Sequence, residues 1–419
     1  MNPRQDQKAF LTSLFSAAVS AANPYDAIKA NLPCGRTIVV GAGKASVQMA
    51  QAFEKLWDGP LEGLVVTKRG GGARCDRIEV IEASHPVPDA SSLHAAQRLM
   101  EVVTGLAEDD LVVALISGGG SALLAAPQPG LTLDDEIAVG EALLASGAPI
   151  SAMNVVRTQL SRIKGGRLAI AAHPAKILTL IVSDVPGDIA GLVASGPTVP
   201  SSRSHADALD IVERYRIQLP RRVIEFLSAP VERRLDPDHQ CFSRNDVRVI
   251  ASAAKSLEAA AEMSQCLGVP AVILGDAMEG EASEIAKVHA AIAREVLNKD
   301  RPFKGPVVLL SGGESTVTLR SDGKGGRNPE FLLSLAIDIA DCDGIFALAA
   351  DTDGIDGSED NAGAFADASS VARLKALDQD AKALLAKNDA WTAFNAVDDL
   401  FLTGPTGTNV NDFRAILVV

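Results

Sequence analysis

"TIVVGAGKASVQMA", residues 37–50, decides the fold. Four β-forming residues run into Gly41-Ala42-Gly43-Lys44-Ala45-Ser46, and a helical pattern follows. A strand, a glycine turn and a helix in that order open a layered α/β sheet. The turn is close to the dinucleotide fingerprint G-x-G-x-x-G, with Ser46 in place of the third glycine. That fingerprint expects an acidic residue roughly 20 positions on to grip a ribose. Here the next strand-like run ends in Lys68 and Arg69, which disfavours NAD and leaves NADP open. The Gly-x-x-x-x-Gly-Lys-Ser/Thr spacing of a Walker loop is absent as well. A tight turn explains the glycines as well as any ligand does. What remains is Lys44, a cation at a helix start that suits a carboxylate or a transferring phosphate.

Outward from this turn, short apolar runs recur at 63–67, 78–83, 110–116 and 175–184, separated by helical stretches. Such runs fit strands buried on both faces of a parallel sheet. The polar stretch "PDHQCFSRND" (237–246) reads as a linker. Strand-like runs restart at 247–252 and 270–275, then 305–319, which reads as two strands around a glycine turn, then 345–350 and the chain end. The expectation is two α/β domains. The larger, 1–243, is Rossmann-like with a mainly parallel sheet. The smaller, 244–419, has a mixed sheet.

Composition bounds the rest. Hydrophobic residues make up 47% of 419, enough for large cores, while aromatics are only 4%. The 39 basic and 53 acidic residues give a net charge of −14 with no basic run, which argues against nucleic acid or an anionic membrane as partner. No apolar run reaches the ~18 residues of a membrane helix, and the N-terminus lacks the apolar core of a signal peptide. Five scattered cysteines suggest reduced thiols and a cytoplasmic location. His85 and His94 are too isolated to pair on a metal and are read as structural.

In doubly wound sheets, ligands bind beyond the carboxyl ends of strands, so the loops there are the candidate sites. "SGGGSALL" supplies Ser117, Gly118, Gly119, Gly120 and Ser121, an anion-cradle composition. "SDVPGDIAGLVASGPTVP" supplies Asp184 and Asp188, hard oxygen ligands of the kind Mg²⁺ takes, and Ser195 and Gly196 as further donors. "NVVRTQLSRIKGGRL" supplies Asn154, Arg157, Lys164 and Arg167; helical spacing would set Asn154, Arg157 and Ser161 on one face. An ordinary solvated helix face is the competing reading there. Later loops carry Glu314, Arg327, Asp351 and Asn409. "DTDGIDG" (351–357) lacks the last glutamate of a calcium loop; its aspartates either bind Mg²⁺ or shape a turn.

Together "VVGAGKAS", "SHPVPD", "SGGGSALL", "NVVRTQLSRIKGGRLA", "VSDVPGD", "ASGPTVP", "LSGGESTVT", "GKGGRNPEFLL", "ADTDGIDG" and "TGPTGTNVND" resemble glycerate 2-kinases of the two-domain, MOFRL-containing type, from about residue 8 to the end. Many members carry the older label hydroxypyruvate reductase. The resemblance implies transfer of the ATP γ-phosphate to the 2-hydroxyl of D-glycerate, at a site between the two domains. It implies an active-site role for Lys44, with Arg327 facing it, and a nucleotide- or phosphate-binding role for the Ser117–Ser121 loop. Gly43, Ser46, Asn154, Arg157, Lys164, Ser195, Gly196, Glu314 and Asn409 are expected around the substrates. Asp184 is expected to act in catalysis, and Asp184, Asp188 or Asp351 to hold Mg²⁺. A monomer or homodimer is expected. Two other readings are an NAD(P)H-dependent hydroxypyruvate reductase and a non-catalytic sugar-acid or nucleotide sensor.

Overall fold

The structure, a computed structural model, describes residues 6–31, 37–71, 73–230 and 238–419. The chain forms two compact units. The first spans Pro24–Ile250; the second spans Ala251–Val419 and takes in the segment up to Asn23.

The first unit holds a six-stranded sheet. Its strands are β1 (Thr37–Ala42), β2 (Leu61–Lys68), β3 (Glu79–Ala83), β4 (Leu111–Ser117), β5 (Lys176–Val182) and β6 (Asn245–Ala251), in the order β3-β2-β1-β4-β5-β6. The pairings β2–β3, β1–β2, β1–β4 and β4–β5 are all parallel. This is the doubly wound order, which reverses between β1 and β4 and leaves a crevice at that switch point. Every residue of β1 is buried, and in β4 all but the first. Hence their sequences read as continuous apolar runs rather than alternating ones. Gly41 pairs with both Val65 and Leu115, and a Cβ there would lie 2.4 Å from the Leu115 carbonyl oxygen.

The second unit holds β7 (Ala271–Glu281), β8 (Val307–Thr316), β9 (Ile345–Asp351), β10 (Gly363–Asp367), β11 (Leu400–Phe401) and β12 (Asp412–Val418), in the order β11-β10-β9-β12-β8-β7. Only β7–β8 is parallel among these pairs, so the sheet is mixed, as expected. Helices Ala282–Lys299 and Arg327–Asp338 contribute Ala286, Ala290, Phe331 and Leu335 to a core with Leu309 and Ile416. A second core takes Val308, Leu310, Phe413 and Leu417 together with Phe10, Leu14 and Phe15 of helix Gln7–Ala21. Phe15 packs edge-on against Phe401 and Phe413, with ring centroids 5.1 and 5.7 Å away.

That helix corrects the expected division at 243/244. The residues it buries, Phe10, Leu11, Leu14, Phe15 and Ala18, pack on a sheet more than two hundred residues away. The other end of the division moves too, because 247–252 pairs into the first sheet as β6. The expected linker is partly helical, Gln240–Ser243, with Pro237 outside the described residues. Within 305–319 lies one strand, β8, rather than two. Gly312 and Gly313 stay in the ladder opposite Phe413 and Asp412, and a Cβ on Gly313 would lie 2.3 Å from the Met278 backbone nitrogen. These glycines permit close strand approach instead of a turn. No helix among the described residues is long and apolar enough to cross a membrane.

Candidate active site

The β1/β4 switch point gathers the residues after both strands. The Lys44 N–H donates to the Gly118 carbonyl at 2.8 Å, and the Ala45 N–H to Ser117 Oγ at 3.0 Å. Gly43 (φ 141°) has no room for a side chain: a Cβ would lie 2.1 Å from Ser117 Oγ. On the other side, a Cβ on Gly118 would lie 1.7 Å from Asp184 Oδ2. The glycine loop thus packs directly between Lys44 and Asp184. No loop hydrogen bond uses the N–H of Gly118 or Gly119 among the described residues, so both are available to an anion. Lys44 is half-buried, and its Nζ makes no hydrogen bond or ion pair among the described residues. A cation left without a carboxylate beside glycine N–H groups is the arrangement an anionic ligand needs.

His85, read from sequence as structural, lies against this loop. It follows β3, and the Cβ absent from Gly119 (φ 78°) would lie 3.1 Å from both His85 Nε2 and Lys44 Cγ. Burial, then Lys44, then Lys68 hold its pKa below the ordinary 6.5. Its position after a strand, within the "SHPVPD" motif, was the available signal.

Several expected binders are committed elsewhere. Ser46 is fully buried and donates to the Gly43 carbonyl at 2.8 Å and the Val66 carbonyl at 2.7 Å, so it pins the turn to β2 rather than facing a ligand. Lys164 is 2% exposed and pairs with Glu136 at 2.5 Å. Arg167 donates to the carbonyls of Thr158 and Lys164 at 2.7 and 3.0 Å. The helix bearing Asn154 and Arg157 ends at Gln159, so Ser161 is not on its face. The N–H groups of Ser195 and Gly196 already donate, to the Leu192 and Val193 carbonyls. Ser195 instead contributes its hydroxyl, linking Ser121 Oγ (2.9 Å) to Asn154 Oδ1 (2.9 Å), while Asn154 Nδ2 donates to the Leu192 carbonyl at 3.1 Å. Arg157 is half-buried and, like Lys44, makes no hydrogen bond or ion pair among the described residues. Burial lowers its pKa against the pull of Glu136.

In the second unit a separate polar cluster centres on Arg327. Gly326 caps helix Arg327–Asp338, and the Arg327 and Asn328 N–H groups donate to Asp356 at 3.3 and 2.6 Å. The guanidinium reaches three carboxylates: Nε to Asp412 at 2.6 Å, Nη2 to Asp351 at 2.7 Å, Nη1 to Glu314 at 3.1 Å. Burial works against its charge, but Asp412, Asp351, Asp356 and Glu314 outweigh that and push its pKa up. Asp412 binds further partners: the Ser315 N–H and hydroxyl (3.1 and 3.0 Å), Asn328 Nδ2 (2.9 Å) and the fully buried Arg414. Burial raises the Asp412 pKa, yet Arg414 and Arg327 bring it below the ordinary value. For Asp351, burial and Asp353 win over Arg327 and push the pKa well up.

Glu314 is thus a counter-ion to Arg327, and Asp351 is committed to the same guanidinium rather than open to a metal. Asn409 ties its own loop, donating to Asp353 at 3.3 Å and accepting from the Asn411 N–H at 3.1 Å. No group of three or more His, Cys, Asp or Glu side chains among the described residues is arranged to hold a metal. Asp184 remains at the glycine loop, with Asp188 one turn on at φ 54°.

Fold and site define a two-unit α/β protein with a lysine and a glycine-rich loop at the switch point of its parallel sheet. Residues 10–228 match a domain of unknown function, DUF4147, and 307–412 match the MOFRL family. A Thermotoga maritima D-glycerate 2-kinase is 38% identical over 98% of both chains. The crystal structure of a glycerate kinase from Thermotoga maritima superposes with a TM-score of 0.89 at 37% identity, covering 99% of each chain. An Agrobacterium vitis protein with the provisional name hydroxypyruvate reductase is 52% identical over 92% of this chain and all of its own. The chain belongs to the glycerate kinase family.

Proposed function

We propose that the protein transfers the γ-phosphate of ATP to the 2-hydroxyl of D-glycerate, giving 2-phosphoglycerate and ADP by direct in-line transfer. The observation that carries this is Lys44, an unpaired half-buried cation beside the Gly118–Gly119 loop at the switch point. Phosphoryl transfer is catalysed mainly by positioning and charge neutralisation. Lys44 and the loop N–H groups supply these in the first unit, whereas the Arg327 guanidinium in the second is already engaged by Asp412, Asp351 and Glu314. The names of the relatives support the substrate pair.

Asp184 is the hard oxygen donor at the loop that would hold Mg²⁺, which commonly takes one or two carboxylates with substrate phosphates. When bound there it would neutralise phosphate charge. Asp184 is held at the loop by its packing on Gly118, which would set the carboxylate beside the phosphates.

The reductase reading draws on the doubly wound order and the name of the Agrobacterium relative. Against it, β2 ends in Lys68, followed by Arg69 paired with Asp89 at 2.5 Å, where a ribose-gripping acid would stand. The free thiols of Cys75, Cys241, Cys266 and Cys342 support a reducing, cytoplasmic setting.

The test is incubation with Mg²⁺-ATP and D-glycerate, with the product identified by ³¹P NMR. We expect 2-phosphoglycerate. A 3-phosphate product overturns the regiochemistry, and no phosphorylated product overturns the kinase reading. NADPH oxidation with hydroxypyruvate in the absence of ATP would establish the reductase instead.

A further inference from the structure

We propose that His85 is a catalytic residue of this reaction: its Nε2 accepts the proton of the substrate hydroxyl as the phosphoryl group is transferred. The inference rests on the glycerate kinase reading above. Three observations carry it. His85 lies just after β3, at the carboxyl end of the parallel sheet, where ligands of doubly wound folds bind. Its Nε2 and the Lys44 stem both close on the same point, the missing Cβ of Gly119, 3.1 Å from each. The ring makes no hydrogen bond among the described residues, although it is half-buried. A polar ring held against a ligand loop without a protein partner is available to a substrate.

The charged groups that bear on it are Lys44 and Lys68. They and burial disfavour imidazolium, so the ring is neutral at neutral pH and has a lone pair to offer. Asp184, the neighbouring carboxylate, is assigned to the metal, which leaves His85 as the base on this side of the loop. The step balances as follows. The substrate oxygen forms a bond to the γ-phosphorus, and the bond from that phosphorus to the β,γ-bridging oxygen breaks, its electron pair leaving with ADP. The hydroxyl proton passes to Nε2, which requires the Nδ1–H tautomer beforehand. The imidazolium so formed lies beside Lys44, and that repulsion drives the proton on to solvent and resets the base.

The experiment uses the full chain and the variants His85→Gln and His85→Asn. kcat and the KM for D-glycerate are measured at saturating Mg²⁺-ATP between about pH 5 and 9, alongside melting temperature. We expect kcat to fall about 10²-fold with KM within about threefold. We also expect the acid limb of the parent profile, with its midpoint below 6.5, to flatten. A kcat within about threefold of the parent, a rise in KM alone, or an unchanged acid limb overturns the assignment. If both variants fail to fold, histidine ¹⁵N NMR of the unaltered protein decides. Nε2 of His85 must be unprotonated at neutral pH and shift on adding D-glycerate; a protonated or unresponsive Nε2 overturns it. Failure of the parent to phosphorylate D-glycerate would instead overturn the underlying reading.

Discussion

Asp412 Oδ1 lies 2.6 Å from Arg327 Nε, while Oδ2 of the same carboxylate binds Arg414, a guanidinium with no exposed surface. One buried carboxylate therefore joins a candidate active-site arginine to an arginine stacked 5.1 Å over the Phe331 ring. Removing the charge of Asp412 leaves Arg414 without its ion-pair partner and Arg327 with only Asp351 and Glu314. Asp412→Asn is expected to cost about 3–5 kcal/mol, the range for breaking a buried ion pair. Chemical denaturation checks this; a loss below ~1 kcal/mol would show that Asn328 and Ser315 alone organise the site.

Lys44 has the opposite character. Its Nζ supports nothing in the fold, so Lys44→Ala should melt within about 2 °C of the parent. Turnover of D-glycerate should fall about 10²–10³-fold, as for loss of one preorganised charge-stabilising group. Full activity in this variant would remove Lys44 from the mechanism.

Gly118 tests the geometry of the loop. A methyl there would meet Asp184 Oδ2 at 1.7 Å, so the carboxylate or the loop must move. Gly118→Ala should therefore weaken the dependence of activity on Mg²⁺, raising the Mg²⁺ concentration for half-maximal rate about tenfold or more. An unchanged Mg²⁺ titration would separate Asp184 from the metal.

Ser46 should behave as a structural residue. Its single hydroxyl proton lies between the Gly43 and Val66 carbonyls in a fully buried position. Ser46→Ala leaves them without that donor and should cost about 1–3 kcal/mol, with KM for both substrates unchanged in the folded fraction. Comparing denaturation midpoint with KM distinguishes this from a phosphate-binding role.

Glu330 gives a pH signature. Burial pushes its carboxyl up from 4.5 to about 7, against the hydrogen bond from Asn388 Nδ2 at 3.1 Å. Between these values the folded state keeps a proton that the unfolded chain has released. The stabilising contribution is thus complete below pH 4.5 and is lost as pH rises through about 7. Glu330→Gln should match the parent at low pH and exceed it by up to roughly 3 kcal/mol above pH 7. Denaturation curves at acid and alkaline pH measure the difference; equal stability at both would contradict it.

The strands around the switch point were legible because a strand buried on both faces has one simple pattern, an unbroken apolar run, as in Leu111–Ser117. The glycines and Lys44 were legible because loops after such strands carry ligand chemistry in any doubly wound sheet. Local pattern could not say which polar side chains stay free. Ser46, Lys164 and Arg167 have the composition of ligand groups, and each is spent on an internal partner that sits elsewhere in the chain. Arg327 meets Glu314, Asp351 and Asp412 because the order β9-β12-β8 brings the ends of three strands beside one helix start. Likewise the sequence of Gln7–Ala21 does not show the sheet that covers it. Periodicity and turn chemistry are local and reach only a few residues. Which charge finds which, and which face covers which sheet, depends on contacts between distant segments that exist only once the chain has packed.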